Sequence, residues 1–462
     1  MAEKSAIPVE LGTEKIGRLL KQYALPAIIA QTASSLYNMV DSIFIGQGVG
    51  PLAISGLAVT FPLMNLSTAF GTLVGAGAAT MLSVLLGQKN YKAANKVLGN
   101  VVSLNVILGL LFMAVALIFI APILYFFGAS ENTLPYAKEY IQIILYGNIV
   151  THLYFGLNAA MRSSGNPKKA MALTIFTVVF NTILDPIFIF VFDMGIAGAA
   201  WATVIAQTAA MTVVLKHFSD KSRAFHFEKG IFKLDPRVAK DSLVIGMGPF
   251  LMNAAACLVT LFINQQLRDY SGDLGIGSYG ICNRFIFMFI MICMGLNQGM
   301  QPIAGYNYGA KQYSRVKEVF WMTAKFGTIV TTICFCIGMF IPRLAAGIFT
   351  HDEALLNMSA EGLRILTIGF PIVGFQMIGT NFFQCLGMVK KSIILSLSRQ
   401  LLFLLPLLYC LPLWMGANGV WMSFPISDVL SAILTAILLR RLFKKFNTLK
   451  DGEESTILGS NL

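Results

Sequence analysis

The sequence predicts an all-α polytopic membrane protein, with twelve transmembrane helices in two parallel six-helix repeats, an N-lobe and a C-lobe, around a central cavity. Three observations carry this. Of 462 residues, 56% are hydrophobic and only 12% charged, with a mean hydropathy of +0.71, which is far more apolar than a soluble domain needs to be. Apolar runs of the about 20 residues that a membrane span requires recur along the whole chain. The first half of the chain is also repeated in the second.

In order, the apolar segments are 19–46, 52–82, 97–127, 135–161, 170–192 and 196–216, then 242–267, 275–306, 318–341, 355–386, 392–413 and 418–439. Their number is even, so both termini are expected on one side. Lys89, Lys92 and Lys96, Arg162, Lys168 and Lys169, Lys311, Arg315 and Lys317, Lys390 and Lys391 all follow even-numbered segments. The 217–241 linker and the end of the chain are basic as well, the linker through Lys221, Arg223, Lys229, Lys233, Arg237 and Lys240. The loops between carry few Lys or Arg, chiefly Arg268 and Arg343, so the positive-inside rule puts both termini and the linker in the cytoplasm. The expected division is an N-lobe at 1–216, a cytoplasmic linker at 217–241, a C-lobe at 242–442 and a cytoplasmic tail at 443–462.

The repeat is legible residue by residue. Gly77, Gly87, Lys89, Tyr91, Glu139, Gly147, Gly165 and Lys168 each meet an identical residue 222 positions later, at Gly299, Gly309, Lys311, Tyr313, Glu361, Gly369, Gly387 and Lys390. Because each unit holds an even number of helices, the copies share an orientation about an axis along the membrane normal.

The net charge of +12 lies in short loops, as topology signals do, and no basic tract is interleaved with aromatics in the way single-strand binding needs. Nucleic acid is therefore excluded as a partner. Residues 1–21 mix both signs without a short apolar core and cleavage site, which excludes a removable signal peptide. The seven cysteines all fall in apolar segments of the second half with no CxxC, and are expected to be free thiols. Four scattered histidines, with no HExxH and no GxSxG, exclude an intramembrane enzyme, and no cofactor is expected.

Against this background, carboxylates inside apolar segments stand out. An ionisable side chain within a span costs about 2.5–3.5 kcal/mol or more, so it faces a protein interior or a water cavity and marks an ion or substrate path. Asp41 closes the first segment in Tyr37-Asn-Met-Val-Asp41, and Asp185 lies in the fifth in Asn181-Thr-Ile-Leu-Asp185-Pro186. Duplication supplies a control: Asp41 falls opposite Asn264 and Asp185 opposite Leu407, so the fold does not require acids there. At about 1.5 Å per residue, Asp41 lies roughly 8–10 Å deep and both Asp185 and Thr203 about 12 Å, with Asn181 one turn from Asp185 on the same face. Asp41, Asn181, Asp185 and Thr203 offer the hard oxygen ligands that Na⁺ accepts; alternatively, the two acids share protons. The residues alone do not choose between these ions.

The second half carries Arg284, Arg399 and Asp428 in its segments, with Arg284 and Asp428 both about 15 Å below the outer surface. A buried ion pair in the C-lobe is one reading, and a substrate or gating role the other. His152 reads as a hydrogen-bonded interior histidine, and Glu139 and Glu361 as structural. Pro26 and Pro249 interrupt segments one and seven, and Pro26 is a candidate hinge about four turns before Asp41. The 22 Met and 35 Phe suit an adaptable apolar cavity.

With Tyr37-Asn-Met-Val-Asp41, Arg162-Ser-Ser-Gly165-Asn-Pro-Lys168, Asn181-xxx-Asp185-Pro186 and the repeated Gly-x-Lys-x-Tyr, the chain resembles the multidrug and toxic compound extrusion (MATE) family of antiporters over about residues 15–442. Within that family it resembles the bacterial DinF-like and MepA-like members, whose cation site lies in the N-lobe. The resemblance implies cation coupling at Asp41, Asn181, Asp185 and Thr203, with Tyr140 and Asn158 as neighbours; Tyr37, Asn38, Arg284 and Asp428 are further candidates for the cavity or the substrate. The NorM-like branch carries acids in segment seven, and here 242–267 has none. The implied function is export of organic, often cationic, amphipathic compounds in exchange for Na⁺ or H⁺, from a bacterial inner membrane, with the bilayer and small organic substrates as partners and a monomer as the unit. The alternative is a lipid-linked saccharide flippase or a narrow-specificity metabolite exporter of similar architecture.

Overall fold

The structure, a computed structural model, describes residues 8–228, 230, 232–350 and 352–453, apart from the side chains at positions 38, 39, 46, 51, 54 and 273. Lys229 of the basic linker and the tail beyond 453 lie outside the described residues. Every regular element among the described residues is helical.

Each apolar segment has a helical counterpart. In the first half these are α1 (Ile16–Gly48), α2 (Pro51–Gly87), α3 (Tyr91–Ile118, with a short extension Ile120–Phe126), α4 (Leu134–Tyr146 and Asn148–Ser163), α5 (Pro167–Val191) and α6 (Gly195–Ser219). In the second they are α7 (Pro236–Gly272), α8 (Leu274–Gly309), α9 (Tyr313–Phe340), α10 (Glu353–Thr367 and Phe370–Cys385), α11 (Val389–Met415) and α12 (Ala417–Phe446). Among the described residues nine helices are long and apolar enough to cross a membrane by themselves, and the two pieces of α10, bent by 55°, bring the number to ten. The other two of the expected twelve are α1, whose second half carries a polar run from Gln31 and then Asp41, and α4, which Gly147 breaks into 13 and 16 residues.

Duplication shows in the backbone as well as in the sequence. Lys89 and Lys311 both have left-handed φ values, 60° and 59°, a conformation that costs a non-glycine residue about 1–2 kcal/mol. Each follows a helix end closed in the same way: Asn90 N–H donates to the Leu85 carbonyl and Gln312 N–H to that of Asn307, the six-to-one bond of a Schellman motif, which requires the residue before the donor to be left-handed. Gly165 and Gly387 repeat the device at φ 93° and 69° after α4 and α10.

The chain forms two compact units. Unit 1 holds Ile29–Phe250 together with the segment up to Thr13, and unit 2 holds Glu14–Ile28 with Leu251 onward. The change of unit thus falls inside α1 and α7, within two residues of Pro26 and Pro249, and not in the 217–241 linker. Both helices nonetheless run through their prolines without a break. Small residues explain the assignment. In unit 1 the first part of α7 meets α2 so closely that a Cβ on Gly77 would overlap the Ser242 carbonyl, and in unit 2 a Cβ on Gly299 would overlap the Ala24 backbone.

The segment that follows the sixth helix of each half folds back on the start of the third. In unit 1, Asp235 lies 3.7 Å from Lys96 and its N–H donates to Asn100 Oδ1 at 2.9 Å. In unit 2, the Ser314 N–H donates to Asp451 Oδ1 at 3.0 Å and Gly452 N–H to the Lys311 carbonyl at 2.9 Å.

Candidate functional site

Four elements of unit 1 bring their polar residues together. Tyr37 and Asp41 stand one turn apart on α1, as do Asn181 and Asp185 on α5, so each pair shares a helix face. Tyr140 comes from the first piece of α4 and Thr203 from α6. Behind Asp185, Pro186 removes a backbone donor, and the helix widens into a π turn over Ile187–Val191, a local expansion often found beside functional residues.

Thr203 is the hub. Its hydroxyl lies 2.8 Å from the Tyr37 hydroxyl and donates to the Ala199 carbonyl at 3.1 Å, and the Tyr140 hydroxyl also faces it. With the Asn181 amide oriented to suit its neighbours, its nitrogen donates to Asp185 Oδ2 at 3.0 Å and its oxygen accepts from the Thr203 N–H at 2.9 Å. A donor therefore faces the Asp185 carboxylate.

Both acids are sealed from solvent, Asp41 at 5% exposure and Asp185 at 0%. They lie within electrostatic range of each other and of Tyr37 and Tyr140. Among the described residues neither acid has a basic partner, and Asp41 Oδ1 has no hydrogen-bond donor. A buried carboxylate oxygen without a partner is costly; a proton or a cation would satisfy it. The acids, the amide and the hydroxyls suit either: carboxylate and hydroxyl oxygens could ligate Na⁺, while Asn181 would have to turn over to present its own oxygen. On one side the site is closed by apolar packing supplied by the same helices, one turn on from each polar residue: Ile45 after Asp41, Ile189 after Asp185 and Ala199 before Thr203, together with Leu57 and Tyr140.

Asp41, Asn181, Asp185, Thr203, Tyr37 and Tyr140 are thus brought together. The Asn38 side chain lies outside the described residues. Asn158 is not at this site: it donates to the Ala170 carbonyl at 3.1 Å, tying α4 to α5 about 16 Å along α5 from Asn181. Asp428 pairs with Arg399 at 2.7 Å and not with Arg284, which is exposed. His152 is fully buried, with Nε2 donating to the Ser67 carbonyl at 2.8 Å. The partnership of Arg399 and Asp428 was missed in the sequence because depth along a helix does not report which way a side chain turns. The shared position of Gly147 and Gly369, each at the break of a fourth helix, was the available signal for where the second half opens a pocket.

Comparisons with known proteins agree with the duplicated helical fold. The MatE family profile matches the chain twice, at residues 26–187 and 249–410, which coincides with the two repeats. The multidrug export protein MepA of Staphylococcus aureus (strain MRSA252) is 28% identical over 426 residues, covering 92% of this chain and 94% of MepA. A solved structure described as the MATE multidrug transporter DinF-BH is 36% identical, with a TM-score of 0.88 over 95% of this chain and 98% of its own. A structure described as the outward-facing conformation of a multidrug resistance MATE family transporter superposes with a TM-score of 0.90 over 97% of this chain and 100% of its own at 22% identity, a likeness of fold. The chain belongs to the MATE family of membrane transporters, in its MepA-like branch.

Proposed function

We propose that this transporter exports organic, often cationic, amphipathic compounds in exchange for Na⁺ or H⁺, as a monomer in a bacterial inner membrane with both termini cytoplasmic. The observation that carries this reading is the buried pair of acids, Asp41 and Asp185, with Asp41 Oδ1 left without a donor. In this reading a cation taken from outside binds the pair and releases the substrate. The N-lobe (1–216) and C-lobe (242–442), joined by the 217–241 linker, then alternate access, and loss of the ion inside restores affinity for new substrate. Antiport follows because ion and substrate stabilise different states, and each shifts the equilibrium only by its differential affinity.

The relatives named for multidrug export support the substrate class. Asn181, with a donor turned to Asp185, leaves the other carboxylate lone pairs for a proton or for Na⁺.

The deciding experiment is efflux of a fluorescent cationic dye from proteoliposomes under a Na⁺ gradient or a pH gradient imposed separately. One gradient driving efflux, with Asp41→Asn inert, supports the reading and names the ion. Folded wild-type protein that moves the dye under neither gradient overturns it and favours a flippase or a narrow metabolite exporter.

A further inference from the structure

Unit 2 contains a cavity of about 90 Å³ lined by Tyr279, Asn283, Ile286 and Ile290 of α8, Leu366 and Phe370 of α10, Arg399 of α11, and Phe424 and Asp428 of α12. Its chemistry differs from that of the acid pair. Of the corresponding helices of the two halves, α5–α6 carry one of the two acids, Asp185, with Thr203 and no basic partner, whereas α11–α12 carry an ion pair. Arg399 sits in a π turn, Ser398–Leu404, and the Ser427 hydroxyl donates to its carbonyl at 2.6 Å, so its backbone is held from α12.

The pair leaves an edge of each partner unused. A guanidinium has five N–H donors. Arg399 spends one, from Nε to Asp428 Oδ1 at 2.7 Å, and among the described residues its Nη nitrogens have no protein acceptor. Its side chain is 26% exposed, so the pocket is not sealed around it. Asp428 is 3% exposed, and among the described residues Oδ2 has no donor. Gly369, at the break of α10, lets this carboxylate lie against the chain, since a Cβ there would come within 3.2 Å of Oδ2.

Charge balance limits what can enter. The pair is neutral, so a lone anion or a lone cation would leave a net charge in an apolar interior, at a cost of several kcal/mol. A zwitterion brings none. The volume of about 90 Å³ is below the about 150 Å³ of a cavity that holds one benzene, so it suits a compact group carrying one carboxylate and one ammonium and no aromatic ring. The remaining wall, with Ile286, Ile290, Leu366, Phe370 and Phe424, is apolar.

We propose that this cavity is a subsite for a small zwitterion with a short apolar remainder, its carboxylate on the Nη edge of Arg399 and its ammonium on Asp428 Oδ2. The subsite adds a substrate class to the export reading and rests on that reading only for its role in transport. Binding itself is measured without transport.

The test is equilibrium binding of radiolabelled alanine to the full-length protein in nanodiscs, competed by N-acetylalanine, which is an anion only, and by alaninamide, which is a cation only. The expected result is that unlabelled alanine competes at least tenfold better than either analogue. Arg399→Gln with Asp428→Asn removes both charges together, so no buried charge is stranded; this variant should lose the preference. Ile290→Phe, which fills the cavity and keeps both charges, should lose binding. Equal competition by either singly charged analogue, wild-type binding by the charge-neutral or cavity-filled variant, or no binding at 10 mM by folded protein would each overturn the proposal. If gradient-driven dye efflux persists in any of those cases, only the subsite is lost; if zwitterion binding is found without cation-driven efflux, the export reading is the one that fails.

Discussion

The hydroxyls of Tyr37 and Thr203 lie 2.8 Å apart although 166 residues separate them in the chain. Through this bond α1 is tied to α6 one turn from Asp41, and Asn181 ties α5 to the same threonine. One hydroxyl and one amide thus link the helices that carry the two acids, and disturbing either should move the acids relative to each other.

Asp41→Asn and Asp185→Asn should each abolish gradient-driven efflux, by at least tenfold, with little change in melting temperature, because each replaces a charge by an isosteric amide in a site that holds no basic partner. Proteoliposome transport beside a thermal melt checks this. Wild-type efflux in either variant would remove that residue from coupling.

Thr203→Val should cost about 1–2 kcal/mol and weaken coupling, since the hydroxyls of Tyr37 and Tyr140 lose their common partner. Thr203→Ser should restore both properties, and Tyr37→Phe should cost about 1 kcal/mol with transport retained in part. Loss in the serine variant with the valine variant unaffected would show that the methyl, not the hydroxyl, is what matters.

If Na⁺ is the coupling ion, it stabilises the folded protein by about 2.7 kcal/mol at a concentration one hundred times its dissociation constant. Melting in Na⁺ against K⁺ at equal ionic strength should then show a stabilisation that Asp41→Asn lacks. A wild type indifferent to Na⁺ leaves the proton.

Gly77→Ala should destabilise unit 1 by about 1–3 kcal/mol through overpacking, because its Cβ would overlap the Ser242 carbonyl. Gly280→Ala, a helical position with nothing within 4 Å, should instead be neutral or gain up to about 1 kcal/mol. Thermal melts of the pair separate close approach from ordinary helix propensity.

Asp451→Ala should free the tail from the start of α9 and speed trypsin cleavage at Lys450. Burial pushes the Asp451 carboxyl up, but hydrogen bonds from the Ser314 side chain and backbone outweigh this and hold it below the ordinary 3.8. A depressed folded-state value means that the tie is fully present above the ordinary value and is lost as the pH falls through the lower one. Cleavage at neutral pH should therefore be slow in the wild type, and unchanged cleavage in the variant would show that the tie does not hold the tail.

The twelve helices, the repeat and the membrane setting were legible in the sequence because each rests on local quantities: hydropathy over a span, residue identity at a fixed offset, Lys and Arg in loops. Asp41, Asn181, Asp185 and Thr203 were legible for a related reason, since polar residues in apolar helices are costly and depth along a helix can be counted. Tyr140 entered through the family resemblance, and so did Asn158, which the structure places along α5 and away from the acids. Depth cannot tell such cases apart.

What only the tertiary structure decided is the direction in which side chains turn and the partner that each helix half chooses. Arg284 and Arg399 are both basic residues in apolar segments, yet Asp428 takes Arg399, because α11 and α12 are packed together and Arg399 is carried on a π turn that no hydropathy pattern reveals. In the same way, the early parts of α1 and α7 are assigned by backbone contacts at Gly299 and Gly77 and not by chain order. Burial cost is a property of one residue and its neighbours in sequence, whereas pairing and packing are properties of two surfaces that meet only after the chain has folded.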